Sequence, residues 1–190
     1  MRRVFAAVAI ASLLSTACSK ATPRPEMRPS VSPTSGSEAG LSEMSEVTLD
    51  GIGPVRVDMT LEEASSAAGR RIIAGVSIGG ESPGDCSFAK PDGGPEGLLF
   101  MTIDGRIARV DVANREIKTS EGATIGTEES ALRRMYPGIT SKPHAYTDGR
   151  YLIHRPDGGQ RAIVFETDGS KVTQFRSGRE PEVEAVEGCA

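Results

Sequence analysis

Tryptophan is missing from the 190 residues, and only five phenylalanines and three tyrosines are present. A core of this composition must be aliphatic. A tight protein interface, which favours Trp, Tyr and Arg, has only Tyr136, Tyr146, Tyr151, Arg150, Arg155 and Arg176 as candidate anchors. Histidine is scarce too. His144 and His154 are the only two, and neither stands beside a nucleophile or further ligands at the spacing that a catalytic triad or a zinc site needs. The expected class is therefore not an enzyme, with no catalytic residue, metal ligand or cofactor assigned; a hydrolase using His144 or His154 is the competing class. Gly79-Gly80, Gly93-Gly94 and Gly158-Gly159 are not followed by the Lys-Ser/Thr pair of a phosphate loop, so they read as loop punctuation. No basic cluster is present and the formal net charge is -4, which argues against nucleic acid as a partner.

Long apolar runs are absent as well. The longest, from Val4 to Leu14, falls short of the about 20 residues that a membrane span requires. It follows Arg2 and Arg3 and precedes Ser15, Thr16 and Ala17, the three-part layout of a secretory signal over residues 1–17. A cysteine directly after a small residue, here Cys18 after Ala17, resembles a bacterial lipobox, with Leu14 and Ser15 transposed from the usual pattern. The resemblance implies acylation of Cys18 and anchoring to a bacterial membrane on the envelope or periplasmic side. Ordinary signal cleavage after Ala17 stays open. Removal of residues 1–17 would take away two arginines and no acid, leaving a charge of -6. Residues 19–46 carry Pro23, Pro25, Pro29 and Pro33 among small and polar side chains. Too little apolar surface is present there to offset ordering entropy, so 18–46 reads as a disordered tether and 47–190 as the globular part.

With Cys18 acylated, Cys86 and Cys189 remain in an oxidising compartment, where pairing is the default. The 103-residue separation gives such a bridge up to about 4.7 kcal/mol in the chain-entropy model. Neither cysteine lies in a CxxC or beside a histidine. Near the C-terminus Glu180, Glu182, Glu184 and Glu187 alternate with Pro181, Val183, Ala185 and Val186, a pattern that fits a solvent-washed edge strand delivering Cys189 to its partner.

Two blocks repeat. Val57 to Ala64, leading to Gly69, matches Ile125 to Ala131, leading to Tyr136-Pro137-Gly138, each with a Thr N-cap ahead of acids. Thr60 and Glu63 have the spacing of a capping box; Thr127 is followed directly by two acids. Each block continues into an apolar strand, Asp-Gly and a second strand: Leu98–Ile103, Asp104-Gly105, Ile107 and Val110, then Ala162–Thr167, Asp168-Gly169, Val172 and Phe175. Cys86-Ser87-Phe88 and Arg150–His154 read as earlier strands. The offsets, 67 between the threonines and 64 between the aspartates, are nearly one period. The reading is an α+β domain of two similar halves, about 47–118 and 119–190. Each is a short helical segment plus an antiparallel β-meander, together forming a curved sheet with helices on one face.

On Val57 to Glu63 and Ile125 to Glu129, the chain resembles the β-lactamase inhibitor protein-like and SmpA/OmlA lipoprotein superfamily over about residues 51–178. Asp58 stands where that pattern usually has Gly, and the second block lacks the Met of Gly-Met-Thr. The resemblance implies a non-enzymatic envelope module that presents one sheet face to another protein. A carrier of lipid or cell-wall fragments is the alternative. Detergent phase partitioning checks the anchor: wild type is expected in the detergent phase and Cys18→Ala in the aqueous phase, and aqueous recovery of both disproves acylation.

Overall fold

The computed structural model describes residues 40–76 and 86–189. The expectations for residues 1–17, Cys18, the tether as far as residue 39 and Gly79-Gly80 lie outside the described residues.

The fold is α+β, two antiparallel sheets and two helices. A small sheet comes first, from β1 (Val47–Thr48), β2 (Gly51–Ile52) and β3 (Val55–Arg56). Helix α1 (Leu61–Ala68) leads into β4 (Ile72–Val76), β5 (Cys86–Pro91), β6 (Leu98–Ile103) and β7 (Arg106–Val112). Helix α2 (Glu129–Met135) leads into β8 (Thr140–Pro143), β9 (Arg150–His154), β10 (Arg161–Thr167) and β11 (Val172–Arg179). These eight strands form one sheet in the order β4-β5-β6-β7-β11-β10-β9-β8. At its centre β7 pairs antiparallel with β11, Val112 opposite Phe175 and Asp111 opposite Arg176.

Local chemistry accounts for most boundaries. At α1 the capping box forms as expected: Thr60 Oγ1 accepts from the Glu63 amide (3.2 Å) and the Glu63 carboxylate accepts from the Thr60 amide (2.8 Å). Gly69 ends the helix in the left-handed conformation, φ 65°. Helix α2 departs from expectation. Its N-cap is Glu128, without a side-chain cap bond, because Thr127 is used elsewhere. The Thr127 hydroxyl accepts from the Thr124 amide (3.0 Å) and its carbonyl accepts from Val172 of β11 (2.9 Å).

The two Asp-Gly turns also differ. Asp104 and Gly105, at φ 52° and 73°, make the two-residue turn between β6 and β7. Asp168 keeps a negative φ and its carboxylate accepts from the amides of Ser170 and Lys171, both at 2.8 Å. That local bonding lengthens the second turn to residues 168–171.

Strand alternation sorts the core. On β10, Ile163 and Phe165 join one buried cluster while Ala162 and Val164 join another. The first cluster contains Ala64 and Ala68 of α1, Leu132 and Tyr136 from α2 and its C-cap, and Val47, Ile52 and Val55 of the small sheet. Tyr136, Phe165 and Phe175 stack in series, ring centres 5.2 and 5.7 Å apart. The packed chain begins earlier than the sequence indicates. Leu41, assigned to the tether, is fully buried in this cluster and its amide donates to the Ala68 carbonyl (2.9 Å). One leucine among polar neighbours has no periodicity to announce it, and a partner 27 residues away holds it.

The acidic C-terminal segment is not an edge strand. The eight-stranded sheet has β4 and β8 as its edges, whereas residues 180–189 run through a 3-10 turn at Glu182–Glu184 and bury Val183 against Tyr151, Ile153, Ala162 and Val164. Salt bridges replace a ladder: Glu180 and Glu184 hold Arg155, Glu184 also holds Lys142 (2.5 Å), and Glu182 meets Arg179 (3.3 Å). Among the described residues, no helix is long and apolar enough to cross a membrane. The α1 cap is open to test. Thr60→Ala should lower the unfolding free energy by about 1 kcal/mol in urea titration without changing the slope.

Candidate functional site

The sheet face opposite the helices carries the polar side chains. The register sets Asp111, Arg176, Val164 and Ile153 in one row across β7, β11, β10 and β9, and Gln174, Glu166 and Tyr151 in the next. Arg109, on β7 two residues before Asp111, shares their face. These positions include an unusual amount of buried charge, since the side chains of Arg109, Arg176 and Glu166 are 5%, 6% and 8% exposed.

Each of these charges is partnered. Glu166 pairs with the Arg176 guanidinium, accepts from the Gln174 amide (2.6 Å) and lies 3.2 Å from His144 Nε2. Burial pushes the Glu166 carboxyl up, and the Gln174 bond, Arg176 and His144 together outweigh it, holding the group below its ordinary value. Arg176 also donates from Nε to the Val183 carbonyl (2.6 Å) and lies over the Tyr151 ring at 5.7 Å. Arg109 bonds Asp111 (2.9 Å) and donates from Nη1 to the carbonyls of Glu182 (2.9 Å) and Ala185 (2.7 Å), with Phe88 at 5.9 Å. The two arginines thus grip the C-terminal segment by its main chain.

Cys86 and Cys189 are joined by a disulfide, Cα atoms 5.5 Å apart. The bridge, Phe88 and Met101 form a third apolar cluster at the β5 side of this face. A half-open pocket of about 230 Å³ lies between Phe88, Leu99, Arg109, Gln174, Arg176 and Val186. A second of about 210 Å³ lies between Lys142, Tyr151, Val164, Arg176, Glu184 and Val186. Val186 and Arg176 line both.

The histidines are apart. His144 stacks on Tyr151, ring centres 4.5 Å apart, and its Nδ1 accepts from the Tyr146 amide (3.1 Å). Its Nε2 lies 3.2 Å from the Glu166 carboxylate, so both ring nitrogens face partners within the domain. His154 instead packs on Tyr136 at 4.8 Å. Of the other candidate anchors, Tyr136 is core, bonding Thr119 (2.6 Å) and Glu121 (2.7 Å), and burial pushes its phenol far up. Arg155 is occupied by Glu180 and Glu184, and Tyr146 is exposed. Tyr151 and Arg176 are the sequence candidates that this face contains. Arg109, Glu166 and Gln174 were missed. Their signal is weak but present: a charged residue between apolar neighbours on a central strand needs a buried partner.

No protein-family model matches the sequence, and no curated protein does. Among solved structures, the chain is similar to the crystal structure of the uncharacterized protein YfeY from Escherichia coli, at 20% identity and a TM-score of 0.49. The match covers 70% of this chain and 99% of that one.

The buried pair has a pH signature. Because the folded pKa of Glu166 lies below its unfolded value, its contribution is complete above about pH 4.5 and is lost as pH falls through the folded value. Glu166→Gln should cost about 3 kcal/mol at pH 7, since Arg176 keeps its charge without a counter-charge. The gap between wild type and variant should narrow on acidification below pH 4.5 in denaturant titrations; a gap independent of pH would disprove the linkage.

Proposed function

We propose that the protein is a membrane-tethered envelope lipoprotein whose domain is a protein-binding or scaffold module, working through the sheet face that bears Arg109, Arg176, Glu166 and Tyr151. The observation that carries this reading is the division of labour between the two faces. Aliphatic and aromatic side chains fill the helix side, where Phe100, Ile107, Ile163 and Phe165 are at most 1% exposed. The opposite face holds organised charge, exposed Gln174 and two half-open pockets of about 230 and 210 Å³. A carrier of lipid or cell-wall fragments works through a deep apolar pocket, most simply between sheet and helices. The filled helix side favours the binding module over the carrier.

The same reading includes a tandem origin and the superfamily resemblance. In its favour, α1 with β4 to β7 and α2 with β8 to β11 have the same element order, and the sheet reads 4-5-6-7 outward and 11-10-9-8 back. On this view Asp58 replaces a glycine and keeps its backbone geometry: φ is 74°, and its carboxylate holds Arg161 and Arg179, each at 2.9 Å. Acylation of Cys18 would present this domain at the membrane surface on a tether, in reach of envelope proteins.

Photo-crosslinking from Gln174 in the native envelope tests the module, with Thr60, on the α1 side, as the control position. A specific protein adduct from position 174 and none from position 60 is expected. Recovery of lipid or glycan alone from position 174 would move the assignment to the carrier.

A further inference from the structure

The C-terminal segment is attached to the domain in the manner of a bound peptide. Among the described residues, its single main-chain hydrogen bond to the rest of the domain runs from Glu180 to the Gln160 carbonyl (2.9 Å). Its other main-chain bonds are internal turns, Glu184 to Pro181, Ala185 to Glu182 and Gly188 to Ala185. Side chains of the sheet do the holding: Arg109 and Arg176 grasp three of its carbonyls, Lys142, Arg155 and Arg179 meet its acids, and Val183 fills an apolar socket. Peptide grooves recognise ligands with this combination of main-chain anchors, a side-chain pocket and flanking charge.

The segment also fails to fill the space it crosses. Val186 is 40% exposed, with the two pockets of about 230 and 210 Å³ opening on either side of it. Beneath it lie Phe88, Met101, Tyr151 and Val164, apolar side chains that would be uncovered together with two arginines if it left.

We infer that residues 180–189 are the resident occupant of a peptide-binding groove, latched by Cys86–Cys189, and that the unlatched groove takes an acidic, valine-bearing segment of a partner protein. This rests on the binding-module reading of the same face. Unlatching is thiol–disulfide exchange: a dithiol supplies two electrons and two protons, leaving both cysteines as thiols and the dithiol as its disulfide. The covalent loop then no longer holds the segment at high effective concentration, and a partner segment can compete.

The test uses the full chain and a labelled peptide of residues 180–190 carrying Cys189→Ser. Peptide anisotropy should stay flat with the oxidised wild type and rise saturably with the full-chain double variant Cys189→Ser, Val183→Asp, whose own segment cannot seat. Val183→Asp in the peptide, or Arg109→Ala in that chain, should weaken binding roughly tenfold or more. Absence of binding to the folded double variant overturns the proposal. Hydrogen exchange of wild type, oxidised and fully reduced, decides the matter even if the variants do not fold. The hydrogen-bonded amides of Glu184, Ala185 and Gly188 should lose at least about a hundredfold protection on reduction while β10 and β11 keep theirs. Unchanged protection with both thiols free would make the segment a fixed structural element. That outcome leaves the envelope crosslinking result untouched, so the two readings fail separately.

Discussion

Two guanidinium groups buried on one sheet face set the terms for much of this fold. Removing such a charge from water costs several kcal/mol unless acceptors are brought to it, and Arg109 and Arg176 stand on the adjacent central strands β7 and β11. Asp111 and Glu166 supply the counter-charges from positions that the register puts close by. The remaining donors reach three carbonyls of residues 182–185, so the C-terminal segment must cross this face and not pair along an edge. The disulfide, the Val183 socket and the salt bridges of Glu180 and Glu184 all follow from that course.

The helix side obeys a simpler constraint. With no tryptophan and few aromatics, it closes by bringing backbones near one another and filling the gaps with aliphatic side chains. Gly40 shows how close: a Cβ there would lie 2.5 Å from the Ala68 carbonyl oxygen at the end of α1. On the other face, Gly178 of β11 stands opposite Arg109, and a Cβ there would lie 2.5 Å from the Ala108 carbonyl oxygen of β7. The central seam of the sheet therefore requires glycine at that position. The two faces thus differ in kind, one filled with apolar side chains, the other charged and incompletely covered.

Much of the architecture was legible in the chain because it rests on local signals. Thr60 with Glu63 marks a helix start through bonds three residues long, and Asp104-Gly105 marks a turn through its own positive φ values. Apolar runs at Leu98–Ile103 and Arg150–His154 coincide with β6 and β9, since strand formation there needs only a pleated apolar face. The misses share a different cause. Thr127 loses its cap role to contacts with Thr124 and β11, Leu41 is held by Ala68, and the two-residue strands of the small sheet are too short for any period to appear. The alternation of acids at Glu180–Glu187 has the period of a strand, yet the positions of Arg155, Lys142 and Arg179 decide where those acids lie.

By itself, then, the sequence determined an aliphatic α+β domain, its main strands, one capped helix and the pairing of Cys86 with Cys189, because composition, short-range bonding and cysteine count act without knowledge of distant neighbours. Only the tertiary structure decided that Arg109, Glu166, Gln174 and Arg176 converge on one face, that His144 spends both ring nitrogens on fixed partners, and that the C-terminal segment lies across the sheet. The reason is register. A strand sequence states which residues alternate, but which of them become neighbours depends on the strand placed alongside, and Val112 of β7 meets Phe175 of β11, 63 residues further along the chain.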